Sequence, residues 1–369
     1  MSSLSVPRAG SGPRPSAPAS VAPRIVAVPE AFNTEDLYVD LTGVVGAPLH
    51  LKCEGFNFAG SIKLKAAAEM VDAAIRDGHL TEDSVLVESS SGNLGVALSM
   101  IAASRRLRFL CITDPRCNLS TRRLMEALGS RVHVVTEPVD DGGFLGARIQ
   151  YVHRLCASDR RYVWLNQYAN PGNWRAHYRT TAPAIARHFP DVDVLFVGAG
   201  TTGTLMGCAR YFRDRDRHVR VVAVDAVGSV TFGGPPGRRM IPGLGTSVRP
   251  ALLDESYVDE VVRVEECDTV RTCHRMARHG FLFGGSTGTV VSGAGRWLAE
   301  HDADRLTAVA IAPDLGERYL DTLYQSNWVE ALYGPEALAV STDDARWADT
   351  AGTPTPDAVG QPTTGALAP

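Results

Sequence analysis

The chain has 369 residues, 44 % of them hydrophobic, 21 % charged and 7 % aromatic, which is room for one large or two ordinary domains with a sizeable core. Its mean hydropathy of -0.06 and short apolar runs exclude a membrane-spanning helix. A net charge of -4 and a pI near 6.2 give no electrostatic reason to expect nucleic acid or an anionic membrane surface, so a small-molecule partner is expected. Residues 1–28, rich in Pro, Ser, Ala and Gly and without acids, read as a disordered lead. They lack the apolar or amphipathic stretch of a targeting peptide, so a cytoplasmic location is expected. Residues 341–369 read as a disordered tail of the same kind.

Between these ends, β-branched runs alternate with helical patterns, which predicts an α/β fold with mostly parallel sheets. Residues 54–70 read as a turn over Asn57 to Ser61, with Ser61 capping a helix whose first turn carries Lys63. The positive end of that helix dipole should lower the amine pKa and suit Schiff-base chemistry. Lys65 lies about 200° further round and cannot share the site. Taken alone, such a lysine is more often a solvated surface residue. Only Lys52, Lys63 and Lys65 of the 37 basic residues are lysines, so an amine nucleophile has few candidates. The seven cysteines are scattered without metal spacing and read as buried or incidental thiols; no metal site is expected.

The strand over 84–89 runs through Ser89, Ser90, Ser91 and Gly92 into a helix near 93–104, a helix start suited to a carboxylate or to ordinary capping. Strands are then predicted at 107–113, 131–136, 162–165 and 193–198, with helices near 120–128, 144–157 and 173–188 between them. The loop Gly198-Ala-Gly200-Thr201-Thr202-Gly203-Thr204 follows, opening a helix near 203–213, with Asp225 closing the next strand at 219–225. This is the spacing of a dinucleotide fingerprint, but the physics secures only an anion at a glycine-rich helix start. An NAD(P) oxidoreductase, another phosphate cofactor and a structural turn all remain open at this point. Strands at 258–264 and 306–312 and helices near 267–279 and 287–300 complete the pattern.

Five segments together resemble a known family. Gly60-Ser61-Ile62-Lys63, Ser90-Ser91-Gly92-Asn93, Asn166-Gln167, Gly200 to Thr204 and Gly284-Gly285-Ser286-Thr287-Gly288 occur in the order and spacing of fold-type II pyridoxal-phosphate enzymes, the cysteine synthase and cystathionine β-synthase group. The resemblance covers about residues 30–335 and implies two doubly wound domains. Residues 29–56 with 169–340 would form a large cofactor-binding domain and 57–168 a small mobile one. It implies pyridoxal 5′-phosphate as cofactor, with Lys63 forming the internal aldimine and acting as catalytic base, and Asn93 bonding the 3′-oxygen. Gly200, Thr201, Thr202, Gly203 and Thr204 would hold the phosphate, and Ser286 would face the ring nitrogen. Ser90, Ser91, Gly92 and Gln167 would clamp the substrate carboxylate. A homodimer is implied as well.

Three positions depart from the cysteine synthase pattern: Phe58 replaces a proline, Leu94 a threonine and Thr202 a glycine. The runs over 58–65, 88–99, 241–247 and 316–322 together most resemble a narrower branch, the N-(2-amino-2-carboxyethyl)-L-glutamate synthases. That resemblance implies β-elimination of phosphate from O-phospho-L-serine through an aminoacrylate and addition of L-glutamate. The product feeds 2,3-diaminopropionate synthesis for siderophores or peptide antibiotics. Sulfide in place of glutamate is the alternative. Both substrates ask for cations at the mouth, and Arg238, Arg239 and Arg249 are the candidates.

Overall fold

The computed structural model describes residues 25–338 apart from 141, 216, 217 and 302; the expected lead up to residue 24 and the tail 341–369 lie outside the described residues. In chain order the elements are β1 (Tyr38–Asp40), α1 (Thr42–Val45), β2 (His50–Cys53), α2 (Lys63–Arg76), β3 (Val85–Ser89), α3 (Asn93–Arg105) and β4 (Arg108–Thr113). Next come α4 (Leu119–Ala127), β5 (Arg131–Val134), α5 (Gly143–Ser158), β6 (Tyr162–Trp164), α6 (Pro171–Arg179), α7 (Thr181–His188) and β7 (Val194–Gly198). The last third holds α8 (Gly203–Arg213), β8 (Arg220–Ala226), β9 (Glu260–Val264), α9 (Glu266–Arg278), α10 (Gly285–Ala299), β10 (Ala308–Ala312) and α11 (Ser326–Tyr333).

Two sheets result. One has the order β1-β2-β10-β7-β8-β9 and is parallel except for β1; the other, β5-β4-β3-β6, is parallel throughout. Parallel strands covered on both faces read as unbroken apolar runs, as β7 and β10 do. Val194 and Phe196 of β7 join the cluster under α10, whereas Leu195 and Val197 join the one under α8. This alternation is the strand period made visible.

The expected strands and helices lie close to the observed ones, with three differences. The sheet begins earlier than predicted, because β1 is only three residues long and β2 carries Lys52 at its centre. Lys52 is fully buried there, its charge met by Glu54 at 2.9 Å and by the Glu35 carbonyl at 2.7 Å. The single helix predicted near 173–188 is two, broken at Thr180, whose φ of -127° and ψ of -65° leave the helical region. Pro183 explains the break: it has no N–H for the carbonyl of Arg179, and its ring would collide with that carbonyl. Finally, Ser61 does not cap α2; its hydroxyl is buried and unpaired.

The loops that follow β2, β3, β7 and β10 all leave the carboxyl ends of their parallel strands, where open α/β sheets bind ligands. β2, β10 and β7 are adjacent, so the segments after Cys53, Ala312 and Gly198 emerge side by side. Backbone bonds tie two of them together, from Glu54 N to the Ala312 carbonyl at 3.0 Å and from Ile62 N to the Pro313 carbonyl at 2.7 Å.

Candidate active site

The turn before α2 is organised by Asn57 rather than by Ser61. The Asn57 amide donates to the carbonyls of Glu54 and Ser61 at 3.0 and 2.9 Å, and its Oδ1 accepts from Ala59 N at 3.0 Å. Lys63 is thereby delivered as the first residue of α2, with its side chain in a cavity of about 160 Å³. Burial pulls its amine down to about 8, against the opposing pull of the Asp314 carboxylate. Desolvation, not the helix dipole, is thus the main cause of the lowered value. Lys65 points elsewhere and is locked to Glu54 at 2.6 Å and Glu35 at 2.8 Å.

From the second sheet, β3 contributes the serine loop. The Ser90 hydroxyl accepts from Gly92 N at 3.3 Å and Gly95 N at 2.9 Å, so it secures the entry to α3, while Ser89 Oγ is buried without a partner. Ser90, Ser91, Gly92 and Asn93 all line the cavity, as does Gln167. The Gln167 amide donates to the Ser89 carbonyl at 2.9 Å, holding the loop from behind. Beneath them Glu88 is fully buried; burial pushes its carboxyl up to about 7 although Trp164 Nε1 and Ser89 N both donate to it at 2.9 Å.

Facing this loop, Gly200, Thr201, Thr202, Gly203 and Thr204 line the opposite wall at the start of α8. A Cβ on Gly200 would stand 2.6 Å from the Gly243 carbonyl, and one on Gly203 2.0 Å from the Asn173 amide, so only glycine lets the backbone approach. Thr202 takes the left-handed conformation, φ +64°, and its buried hydroxyl has no partner. Backbone N–H groups at a helix start plus an unpaired hydroxyl make an anion cradle. Asp225, which completes the dinucleotide spacing, is fully buried, and its carboxylate accepts from Ala226 N at 2.9 Å. Unlike Thr202 it is not part of the cavity wall, so a ribose held at this loop would not meet it and the dinucleotide reading fails.

The third wall comes from the segment after β10 and the start of α10. Ser286 lines the cavity. Asp314, fully buried and raised above the usual carboxylate range by that burial, accepts from Tyr319 Oη at 2.6 Å and from Thr287 Oγ1 at 3.0 Å. It also accepts from Asn93 Nδ2 at 3.3 Å, and Arg318 donates to Asn93 Oδ1 at 2.8 Å and to the Ala59 carbonyl. Asn93 therefore has both ends of its amide engaged by residues that sequence reasoning did not single out. The motif over 316–322 was the available signal.

The expected cations divide. Arg239 lines the cavity and donates to the Gly228 carbonyl and, at 3.0 Å, to Ser247 Oγ. Arg238 is exposed and lies outside the cavity wall; Arg249, also outside it, pairs with Glu255 at 2.6 Å. Two arginines that the sequence reading missed take their place. Arg116, after β4, and the buried Arg148, on α5, line the cavity and share one carboxylate, Asp114. Burial alone would raise Asp114, but hydrogen bonds from Arg116 and the Arg148 charge hold it below its ordinary value. Three guanidiniums line this end of the cavity; Asp114 is paired with two of them, and the Asp225 and Glu266 carboxylates act on Arg239 from outside its wall.

Comparison with known proteins agrees with this fold. Residues 38–314 match the family described as pyridoxal-phosphate dependent enzyme. An N-(2-amino-2-carboxyethyl)-L-glutamate synthase of Ralstonia nicotianae is 39 % identical over 293 residues, 79 % of this chain and 86 % of that protein. One from Cupriavidus metallidurans is 38 % identical over 302 residues, 81 % and 89 % of the two chains. Among solved structures, a hydrogen sulfide-producing enzyme from Fusobacterium nucleatum superposes with a TM-score of 0.75 at 28 % identity, covering 80 % of this chain and all of that one. An O-ureido-L-serine synthase, a lysine-to-alanine mutant with O-ureido-L-serine bound, does so at 0.76 and 29 %, covering 88 % and 98 %. With its two mostly parallel sheets and a match running from β1 to Asp314, the chain belongs to the fold-type II pyridoxal-phosphate dependent enzymes.

Proposed function

We propose that this enzyme replaces the phosphate of O-phospho-L-serine with the amine of L-glutamate, giving N-(2-amino-2-carboxyethyl)-L-glutamate and inorganic phosphate. The observation that carries the choice of substrates is the convergence of Arg116, Arg148 and Arg239 on the cavity that also holds Lys63. A phosphate leaving group and a dicarboxylate nucleophile both need such cations, whereas sulfide needs none. The names of the two curated relatives support the same reading.

The cavity fits the cofactor on its own terms. An unpaired, buried Thr202 hydroxyl and the start of α8 suit a phosphate, and an amine lowered to about 8 suits an aldehyde. When bound, pyridoxal phosphate supplies an electron sink that stabilises negative charge at the substrate Cα. Lys63 removes the Cα proton, phosphate leaves Cβ with its bonding pair, the glutamate nitrogen adds to Cβ and loses a proton, and Lys63 returns a proton to Cα. Ser91, the backbone of Gly92 and Gln167 orient the amino-acid carboxylate, and Ser286 offers a hydroxyl to the ring nitrogen. The Asp314–Asn93–Arg318 group holds the Asn93 amide, which would bond the cofactor's 3′-oxygen. The resemblance further supports a homodimer, a small unit over 57–168 that moves on binding, and a product destined for a siderophore or antibiotic; the composition of residues 1–28 favours a cytoplasmic location.

Phosphate release from O-phosphoserine tests the reading. It should depend on glutamate and vanish in Lys63→Ala, which should keep its fold. Comparable turnover with sulfide and none with glutamate would reject it in favour of a cysteine synthase.

A further inference from the structure

Behind the phosphate cradle runs a buried line of polar side chains that the reaction itself does not use. Lys65 Nζ lies 3.2 Å from Thr181 Oγ1, Thr181 Oγ1 lies 3.1 Å from His177 Nδ1, and His177 Nε2 lies 3.2 Å from Thr204 Oγ1. Thr181 is 0 % and His177 1 % exposed, so water does not compete for these groups. Thr204 ends the line at the cavity wall.

The chemistry of the donors gives this line one direction. An ammonium has protons to give and no lone pair to accept with, so Thr181 Oγ1 must accept from Lys65. The oxygen has a second lone pair, but accepting from Nδ1 as well would strand the hydroxyl proton of a fully buried residue, so Thr181 donates to His177 Nδ1, 3.1 Å away. A neutral imidazole that accepts at Nδ1 carries its proton on Nε2, and so donates to Thr204 Oγ1. With its oxygen already accepting, Thr204 has its own proton free to turn into the cradle. Two electrostatic effects keep the line in this state. Burial and the Lys65 charge press His177 down to about 3, so the ring stays neutral. Burial would lower Lys65 too, but Glu54 and Glu35 outweigh it and raise the amine, so the ammonium persists.

We propose that His177 is a positioning residue for the cofactor phosphate: the line Lys65–Thr181–His177 fixes its tautomer so that the Thr204 hydroxyl donates to the phosphate instead of to the protein. This rests on the reading that the Gly200–Thr204 cradle holds pyridoxal phosphate. A hydroxyl donating to a dianion forms a charge-assisted bond, and losing its orientation should weaken that bond by about tenfold in affinity.

Two measurements test it on the holoenzyme and apoenzyme. Long-range proton–nitrogen NMR of histidine-labelled holoenzyme, with the His177 signals assigned by their loss in His177→Gln, should show a neutral ring protonated on Nε2. A proton on Nδ1, or a charged ring, overturns the proposal. Equilibrium binding of pyridoxal phosphate and of unphosphorylated pyridoxal to the apoenzyme provides the second. His177→Leu should lower the ratio of the two affinities about tenfold, His177→Gln, which keeps a donor near Thr204, should restore it to within about threefold, and Thr181→Val should fall between them. An unchanged ratio in His177→Leu overturns the proposal, and a parallel loss for both ligands assigns His177 a structural role only. If the leucine variant does not fold, the wild-type tautomer and Thr181→Val decide. Failure of the wild-type apoenzyme to take up pyridoxal phosphate at all would instead remove the reading beneath it.

Discussion

Lys63 shows how a residue's surroundings, rather than its type, set its chemistry. Its amine is lowered by burial to about 8, so it is charged below that pH and a competent nucleophile above it. The rate at which the apoenzyme captures pyridoxal phosphate should therefore fall about tenfold for each pH unit below 8 and level off above it. Stopped-flow absorbance across pH 6 to 10 reads this; a flat profile would refute the assignment. Arg148 can be treated in the same way. Its partner Asp114 keeps Arg116 when Arg148 is removed, so no carboxylate is stranded. Arg148→Met should raise the KM for glutamate at least about tenfold while leaving cofactor capture intact. A glutamate KM unchanged in that variant would place the nucleophile's carboxylates elsewhere.

At the scale of elements, Thr202 carries a conflict between stability and function. A threonine held at φ +64° costs of the order of 1 kcal/mol relative to glycine, yet its unpaired hydroxyl faces the cradle. Thr202→Gly should stabilise the apoenzyme by about 1 kcal/mol in urea titrations and at the same time weaken pyridoxal phosphate binding. Tighter binding would show that the hydroxyl does not serve the phosphate. The elements legible in the sequence were those whose physics is local. β7 and β10 announce themselves as unbroken apolar runs, and the glycine-rich starts of α3, α8 and α10 by loop composition. The illegible parts depend on partners distant in sequence. β2 hides because Lys52 interrupts it, tolerable only once Glu54 meets the charge. Arg116 and Arg148 come from different elements and meet only in the fold. Arg239 and Arg238 are neighbours of which one faces the cavity, a choice of side that composition does not encode.

Across the whole molecule, the cavity is a junction of both sheets, and Arg318 is its clasp. The guanidinium reaches Asn93 at the start of α3 and the Ala59 carbonyl in the turn before α2, while its own carbonyl accepts from Asn118 at 3.1 Å. Arg318→Ala leaves Asn93 Oδ1 without this donor and should lower stability by about 2 kcal/mol, seen as a reduced urea midpoint with an unchanged slope. An unaltered midpoint would mean that the clasp bears no load. The reaction assigned to this junction makes one bond that can be observed directly. Turnover of O-phosphoserine labelled with carbon-13 at Cβ, together with nitrogen-15 glutamate, should yield a product whose NMR spectrum shows one-bond coupling between the two labels. Recovery of the labelled glutamate unchanged while phosphoserine is consumed would contradict the account.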